Sequence, residues 1–297
     1  MNIERRAELL LVMTTIVAAA GWVFSKEAIQ GLPAFGFIGL RFLVAAFCLL
    51  PFCWQDLRKI SRSDIAQCMA VGCLMAVTIL LWISSIAMSD TLGEGAFIMS
   101  LSMLFVPLVS WVLFKRRPPR IFWLALPVAL LGLTILSFGG GDGWQFSSSQ
   151  FSFLAAALTL AIHFNVNSKY SRKIPILSLT FLQLFVTGII GITVSLCFEV
   201  WPSSIPSDIW IWFLLSAVVA TSLRYVFQTI GQKHVNPANA AIIMILEPVF
   251  TVILSVLWYA EEMPQYKVIG CMVILFSLFI YRGSEMMMKY CRRVKKA

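Results

Sequence analysis

Few side chains in this chain could bind, titrate or exchange protons within otherwise apolar surroundings, and Glu247 is the most telling of them. It stands in the run IMILEPVF, with apolar residues on both sides and Pro248 directly after it. A carboxylate inside a hydrocarbon span is costly unless it is paired or hydrated, which makes it a functional candidate by default. Arg224 is its natural counterpart in the preceding apolar run. Each lies roughly 12–15 Å from the same end of its span at 1.5 Å per residue, so the two share a depth across a helical hairpin. They can pair or share a hydrated cavity in which substrate or a proton competes for Glu247; the bland alternative is a permanent bridge that only fixes helix packing. Pro248 has no amide proton, so the carbonyl of residue 244 loses its helical partner and a kink is expected beside the carboxylate.

Three further groups of residues could do chemistry. Trp22, Tyr225, Gln228 and Gln232 are placed to complete a cavity, with aromatic faces suited to a cationic or zwitterionic organic substrate. Most of the tryptophans, such as Trp54, Trp111 and Trp258, sit near span ends instead, where an interfacial belt accounts for them. His163 and Asn167 are four residues apart and lie on one helical face; His163 serves either as a proton relay or as a neutral, hydrogen-bonded packing group. Lys26 and Arg41, opposite the acidic Asp90 and Glu94, suggest a charged outer gate, with snorkelling to the headgroups as the alternative. No metal site is expected, because neither His163 nor His234 has a carboxylate at ligand spacing, and no cofactor motif is present.

The elements that must hold these residues follow from composition. The chain has 297 residues, 60% hydrophobic and 12% charged, with mean hydropathy +0.87. Soluble domains carry roughly twice that share of charge. Apolar runs between charged or Pro/Gly breaks give ten spans, at 8–30, 34–53, 65–88, 93–114, 121–138, 151–170, 176–198, 208–230, 237–259 and 266–283. They leave room only for short connections and exclude a large extramembrane domain. Residues 3 to 20 imitate a signal peptide, but the apolar pattern continues past Trp22, so the segment is read as a retained span. The net charge of +9 marks cytoplasmic loops rather than a nucleic-acid partner. The seven cysteines lie mostly inside apolar runs without a CxxC pair and are expected to be reduced, inert thiols.

Loop charges alternate along the chain. Arg5 and Arg6, Arg58, Lys59 and Arg62, Lys115, Arg116, Arg117 and Arg120, Lys169, Arg172 and Lys173, and the basic tail follow or precede every second span. The intervening loops carry Asp90, Asp142, Glu199, Asp208, Glu261 and Glu262, with Lys26 and Lys267 the exceptions. This pattern places both termini in the cytoplasm.

Sliding the chain on itself by 145 positions aligns residues 96–135 with 241–280 without a gap, with eleven identities over forty positions, among them Pro119 with Pro264. Five spans per half force the second half to enter the membrane from the opposite side, and inverted repeats are a recurrent plan of secondary transporters. The expected division is a first five-helix repeat over 1–140 and a second over 141–297.

In order and spacing, GWVFSK at 21–26, RF at 41–42, GAFIMSLSMLFVPL at 95–108 and GQKHVNPANAAIIMILEPVF at 231–250 resemble the ten-helix, EamA-type members of the drug/metabolite transporter superfamily. The likeness covers residues 8 to 283. Where that family often has Gly-Glu after the fourth helix, this chain has Phe114, Lys115 and Arg116, so no acidic role carries over there. The resemblance implies an all-α polytopic membrane protein in two inverted repeats. It also implies a carrier of the bacterial inner membrane, monomeric or homodimeric, that exports an amino acid, another small organic metabolite or a toxic compound and is driven by proton or substrate gradients. A membrane enzyme or a channel is the rival reading. The chain has no HExxH, GxSxG or Walker loop, the glycines at 139–141 and 143 lack the Lys-Ser/Thr of a phosphate loop, and no pore-loop signature appears.

The charge pattern makes a direct prediction about orientation. A fluorescent protein fused after Ala297 is expected to fluoresce, and alkaline phosphatase at the same place to be inactive; the reverse pair of results would overturn the orientation.

Overall fold

The structure is a computed structural model and describes residues 3–89, 91–115, 117–138, 147–171, 173–224, 227, 243–244 and 246–294. Among the described residues every regular element is helical: α1 Ile3–Ala28, α2 Ala34–Leu57, α3 Arg62–Met88, α4 Leu92–Ser100, α5 Ser102–Phe114, α6 Phe122–Phe138, α7 Ser148–Tyr170, α8 Ile176–Phe198, α9 Ser207–Leu214 continuing into a π-helical segment Leu215–Leu223, α10 Leu246–Tyr259 and α11 Gln265–Val294. Six spans are long and apolar enough to cross a membrane, α1, α2, α3, α4 with α5, α7 and α8, and four shorter apolar helices accompany them. Large apolar side chains such as Phe52, Phe198 and Leu257 lie exposed on these helices, as a hydrocarbon solvent requires.

Two segments depart from plain α-helix. The span expected at 93–114 is interrupted at Leu101, which leaves α4 and α5 as separate helices. Ser100 Oγ there donates to the Phe97 carbonyl at 2.6 Å, and Pro107 lies inside α5 without an amide to give; both weaken the regular ladder. The span expected at 208–230 widens into the π-helix from Leu215 onward. Its hydroxyls register the wider turn: Thr221 and Ser222 donate to the carbonyls five residues back, at 3.0 and 3.1 Å. Thr14, Thr78 and Thr251 reach only four back.

The helices gather into two compact units, each drawn from both halves of the sequence. One comprises Met1–Ala20, Thr91–Ser147 and Arg224–Ala297, the other Gly21–Asp90 and Ser148–Leu223. In the second, α2 and α8 form the principal pair. A Cβ added at Gly36 would meet Ser195 Oγ, one at Gly39 the Ile192 backbone nitrogen, and one at Gly188 the Leu43 side chain. Residue numbers rise along one helix as they fall along the other, so the two run antiparallel. A Cβ on Gly191 would stand 2.8 Å from the Gly39 nitrogen; the backbones touch here, and only glycine permits that approach. Because the pair is antiparallel, the end of α8 lies at the start of α2, where Glu199 caps it: its two carboxylate oxygens accept from the amides of Phe35 and Gly36 at 2.9 and 3.0 Å.

In the other unit α6 packs on α11 and α4 on α10. Gly132 faces the Gly270 carbonyl and Ile274, while Phe122 meets Tyr281 edge-on, so α6 and α11 are antiparallel as well. Glu261, after α10, caps α4 by accepting from the Leu92 amide at 2.7 Å. Two backbone details recur in this unit at the spacing of the sequence repeat. Among described non-glycine residues, positive φ occurs at Lys115 and Ala260, directly after α5 and α10. The amides of Phe122 and Lys267 donate to the carbonyls of Pro119 and Pro264 at 3.0 and 2.9 Å. Each of these matched positions lies 145 residues from its counterpart.

Glu199→Ala leaves two amides of α2 without their acceptor and is expected to cost about 1–2 kcal/mol, seen as a lower melting temperature in detergent. Lys115→Gly removes the left-handed strain at φ 57° and is expected to gain about 0.5–1 kcal/mol, whereas Lys115→Ala gains nothing. An equal effect of the two Lys115 variants would show that the backbone there carries no strain.

Candidate functional site

Arg224 directly follows the last residue of the π-helical segment, and Glu247 lies in the first turn of α10. Their side chains meet: Arg224 Nη2 donates to Glu247 Oε2 at 3.0 Å, with side-chain exposures of 28% and 22%. Pro248, next to Glu247, is buried. Thr251 Oγ1 donates to the Glu247 carbonyl at 2.9 Å, a tie within the same turn. Residue 245 lies outside the described residues, so the geometry of the expected kink is not defined. Tyr225, Gln228 and Gln232, expected to line the same cavity, also lie outside the described residues.

His163 and Asn167 are brought together by a residue that the sequence reading missed. The Gln183 amide on α8 bridges them, its Oε1 2.8 Å from His163 Nε2 and its Nε2 donating to Asn167 Oδ1 at 2.9 Å. Gln183 is 5% exposed. It lies in the middle of an apolar run, and a neutral amide there gave no charge or motif to single it out.

The expected outer gate involves Lys26, Arg41, Asp90 and Glu94. Lys26 Nζ donates to the Ser89 carbonyl at 3.1 Å. Glu94, in the first turn of α4, receives Lys267 Nζ at 2.9 Å with only 8% of its side chain exposed, and Thr91 Oγ1 donates to it at 3.4 Å. In the sequence Lys267 is one of the two basic exceptions among the acidic loops. Asp90 lies outside the described residues.

Arg41 is 6% exposed. Its Nε donates to Thr221 Oγ1 at 2.8 Å and its Nη1 to Ser25 Oγ at 2.9 Å, which ties α2 to the π-helical segment and to α1. Both hydroxyls spend their own protons on backbone carbonyls, Ser25 on Gly21 at 2.5 Å and Thr221 on Ser216, so their lone pairs are what the guanidinium meets. Phe37 and Phe42 each place a ring centroid 5.8 Å from the guanidinium carbon. Trp22 lies one helical turn before Ser25 and packs edge-on against Trp82 at 5.2 Å and beside Phe153 at 6.0 Å. Close approach of α1 to the π-helical segment depends on Gly21, where an added Cβ would stand 2.8 Å from Ala220 Cβ. Among the described residues no group of three or more His, Cys, Asp or Glu side chains could hold a metal ion.

Comparison with known proteins places these helices in context. The profile of the EamA-like transporter family matches the chain twice, at residues 5–138 and 147–282. An uncharacterized transporter of Archaeoglobus fulgidus is 24% identical over 92% of this chain and 85% of its own length. An uncharacterized transporter of Synechocystis sp. is 23% identical over 76% of this chain and 70% of its own length, and the uncharacterized transporter YdfC of Bacillus subtilis is 24% identical over 69% of each. A solved crystal structure shares the fold with a TM-score of 0.63 at 15% identity, covering 93% of this chain and 96% of that one. With six helices among the described residues long and apolar enough to span a bilayer and two family matches that together cover nearly its whole length, this multi-pass membrane protein belongs to the EamA-like transporter family.

Proposed function

We propose that the chain is a secondary active transporter of ten spans in two inverted five-helix repeats, dividing near residue 140, that moves a small organic metabolite across the bacterial inner membrane by alternating access. Both termini face the cytoplasm, the direction is export, and protons supply the coupling. The observation that carries this reading is the Arg224–Glu247 pair, whose side chains are 28% and 22% exposed. A lone charge facing lipid is strongly disfavoured. An ion pair that is nevertheless partly open points to an aqueous opening, where a substrate or a proton can compete for the carboxylate. Making and breaking the pair then biases the equilibrium between inward-open and outward-open states.

The inverted repeat draws support from the packing. The second and seventh spans, α2 and α8, are antiparallel neighbours, as are the fifth and tenth, α6 and α11. This is how corresponding helices meet when one half is turned over relative to the other. The left-handed residues Lys115 and Ala260 and the paired proline turns add the same correspondence at the level of single residues.

The test is counterflow in proteoliposomes loaded with a mixed pool of amino acids, nucleosides and organic cations, read by mass spectrometry with and without a pH gradient. Wild-type protein is expected to exchange a defined subset saturably and to concentrate it when a pH gradient is imposed. Glu247→Gln is expected to lose the pH-driven component by at least about tenfold, the scale of one charged hydrogen bond. Unaltered exchange and pH dependence in Glu247→Gln would remove the coupling role and leave the pair a structural bridge.

A further inference from the structure

We infer that the last turns of α11 form a basic amphipathic docking surface for anionic lipid headgroups, at the face of the bilayer where α11 emerges after Tyr281. The inference goes beyond the transport reading and does not depend on it. α11 is one unbroken helix from Gln265 to Val294. Its apolar run, Val268 to Tyr281, ends where Arg282 begins the charged stretch RGSEMMMKYCRRV. Tyr281 itself is buried and meets Phe122 edge-on, so the helix is still packed within its unit at the point where the charges begin. From there it continues for about 20 Å at 1.5 Å per residue. The headgroup layer on each side of the hydrocarbon is roughly 5–8 Å thick, so the charged stretch is long enough to cross that layer and run on immediately above it.

The residues of that stretch are sorted by helix register. At about 100° per residue, Arg282, Glu285, Lys289, Arg292 and Arg293 all fall within about 100° of arc. Met286 to Met288, Tyr290, Cys291 and Val294 occupy the rest of the circumference. A helix end bathed by water on every side has no need of such sorting. An arc of four cations and one anion beside an arc of methionine, tyrosine and valine is the composition of a helix held at a membrane surface, its apolar side toward the acyl boundary and its cations among the phosphates. Each Lys or Arg near an anionic surface strengthens the association by about fivefold. Continuity with a span favours lipid over any soluble polyanion, because the headgroups stand beside the helix at the high local concentration of the leaflet, whereas a soluble partner has to be recruited from solution.

The experiment places full-length protein in nanodiscs of phosphatidylcholine alone and of equal parts phosphatidylcholine and phosphatidylglycerol, and reads hydrogen–deuterium exchange on peptides covering residues 282–294. Exchange there is expected to be at least about tenfold slower in the anionic discs, the scale of two basic residues held at a charged surface. The difference is expected to collapse in molar salt, which shortens electrostatic reach to a few ångströms. Neutralising the stripe with Lys289→Gln, Arg292→Gln and Arg293→Gln together is expected to abolish the difference while exchange in α2 and α8 stays unchanged. The paired change Met287→Lys with Lys289→Met keeps composition and net charge but moves one cation to the opposite arc, and is expected to shrink the difference by about fivefold. The comparison of the two lipids in wild-type protein decides the matter even where a variant fails to fold. Equal exchange in the two kinds of disc would overturn the surface. So would protection in neutral discs by inorganic phosphate or by added RNA that matches the effect of the lipid, and a paired variant indistinguishable from wild type would overturn the role of the stripe.

Discussion

Hydrocarbon has no hydrogen bond to offer, and nearly every feature of this chain answers that constraint. The backbone satisfies itself as helix. The hydroxyls of Thr14, Thr78, Ser85 and Thr251 turn back onto their own carbonyls, which hides a polar group without calling on a neighbour. Helix ends are the weak points, because their first amides have no partner within the helix. Glu199 and Glu261 close two of them from another part of the chain. With lipid as apolar as leucine, association between helices depends on close fit, and the backbone contact at Gly39 and Gly191 is its sharpest instance.

Against that background the ion pairs differ in kind. The acids differ most, with 8% of the Glu94 side chain exposed against 22% of Glu247, while their partners Lys267 and Arg224 stand at 20% and 28%. A closed pair fixes geometry, since removing either partner leaves a buried charge. An open pair retains access to a competitor. Arg41 represents a third arrangement, a charge cradled by hydroxyls from two other elements, in which the polar groups that hold it are spent on their own helices first.

Much of this was legible in the sequence because the physical signals were strong. The apolar runs at 34–53 and 176–198 correspond to α2 and α8, and the glycines within them, Gly36, Gly39, Gly188 and Gly191, all stand where a Cβ would meet a neighbouring residue within 3 Å. Arg224 and Glu247 could be placed at one depth by counting residues from their span ends. What resisted reading were features whose signal is not local. Gln183 carries no charge and sits in an apolar run, so only the fold reveals that it joins His163 to Asn167. Glu199 and Glu261 looked like loop charges that report membrane orientation, because a cap supplied by a distant segment leaves no motif beside the helix it serves. The π-helical segment is equally silent: SAVVATSL scans as ordinary α-helix, and its widening shows only in which carbonyl each hydroxyl reaches.

The residues after α5 and α10 have a bearing on how a duplicated sequence ages. Lys115 and Ala260 differ in size, charge and chemistry, and neither is the glycine that would adopt a left-handed turn without strain. Both nevertheless bend the chain the same way, with φ of 57° and 49°. The two positions differ in residue type and share the torsion. Side chains drift under the local demands of lipid and loop, whereas the path of the backbone is held by every helix that must dock after it. For a protein of this kind the torsion angles are the longer-lived record of common descent, and halves compared letter by letter look more distant than they are.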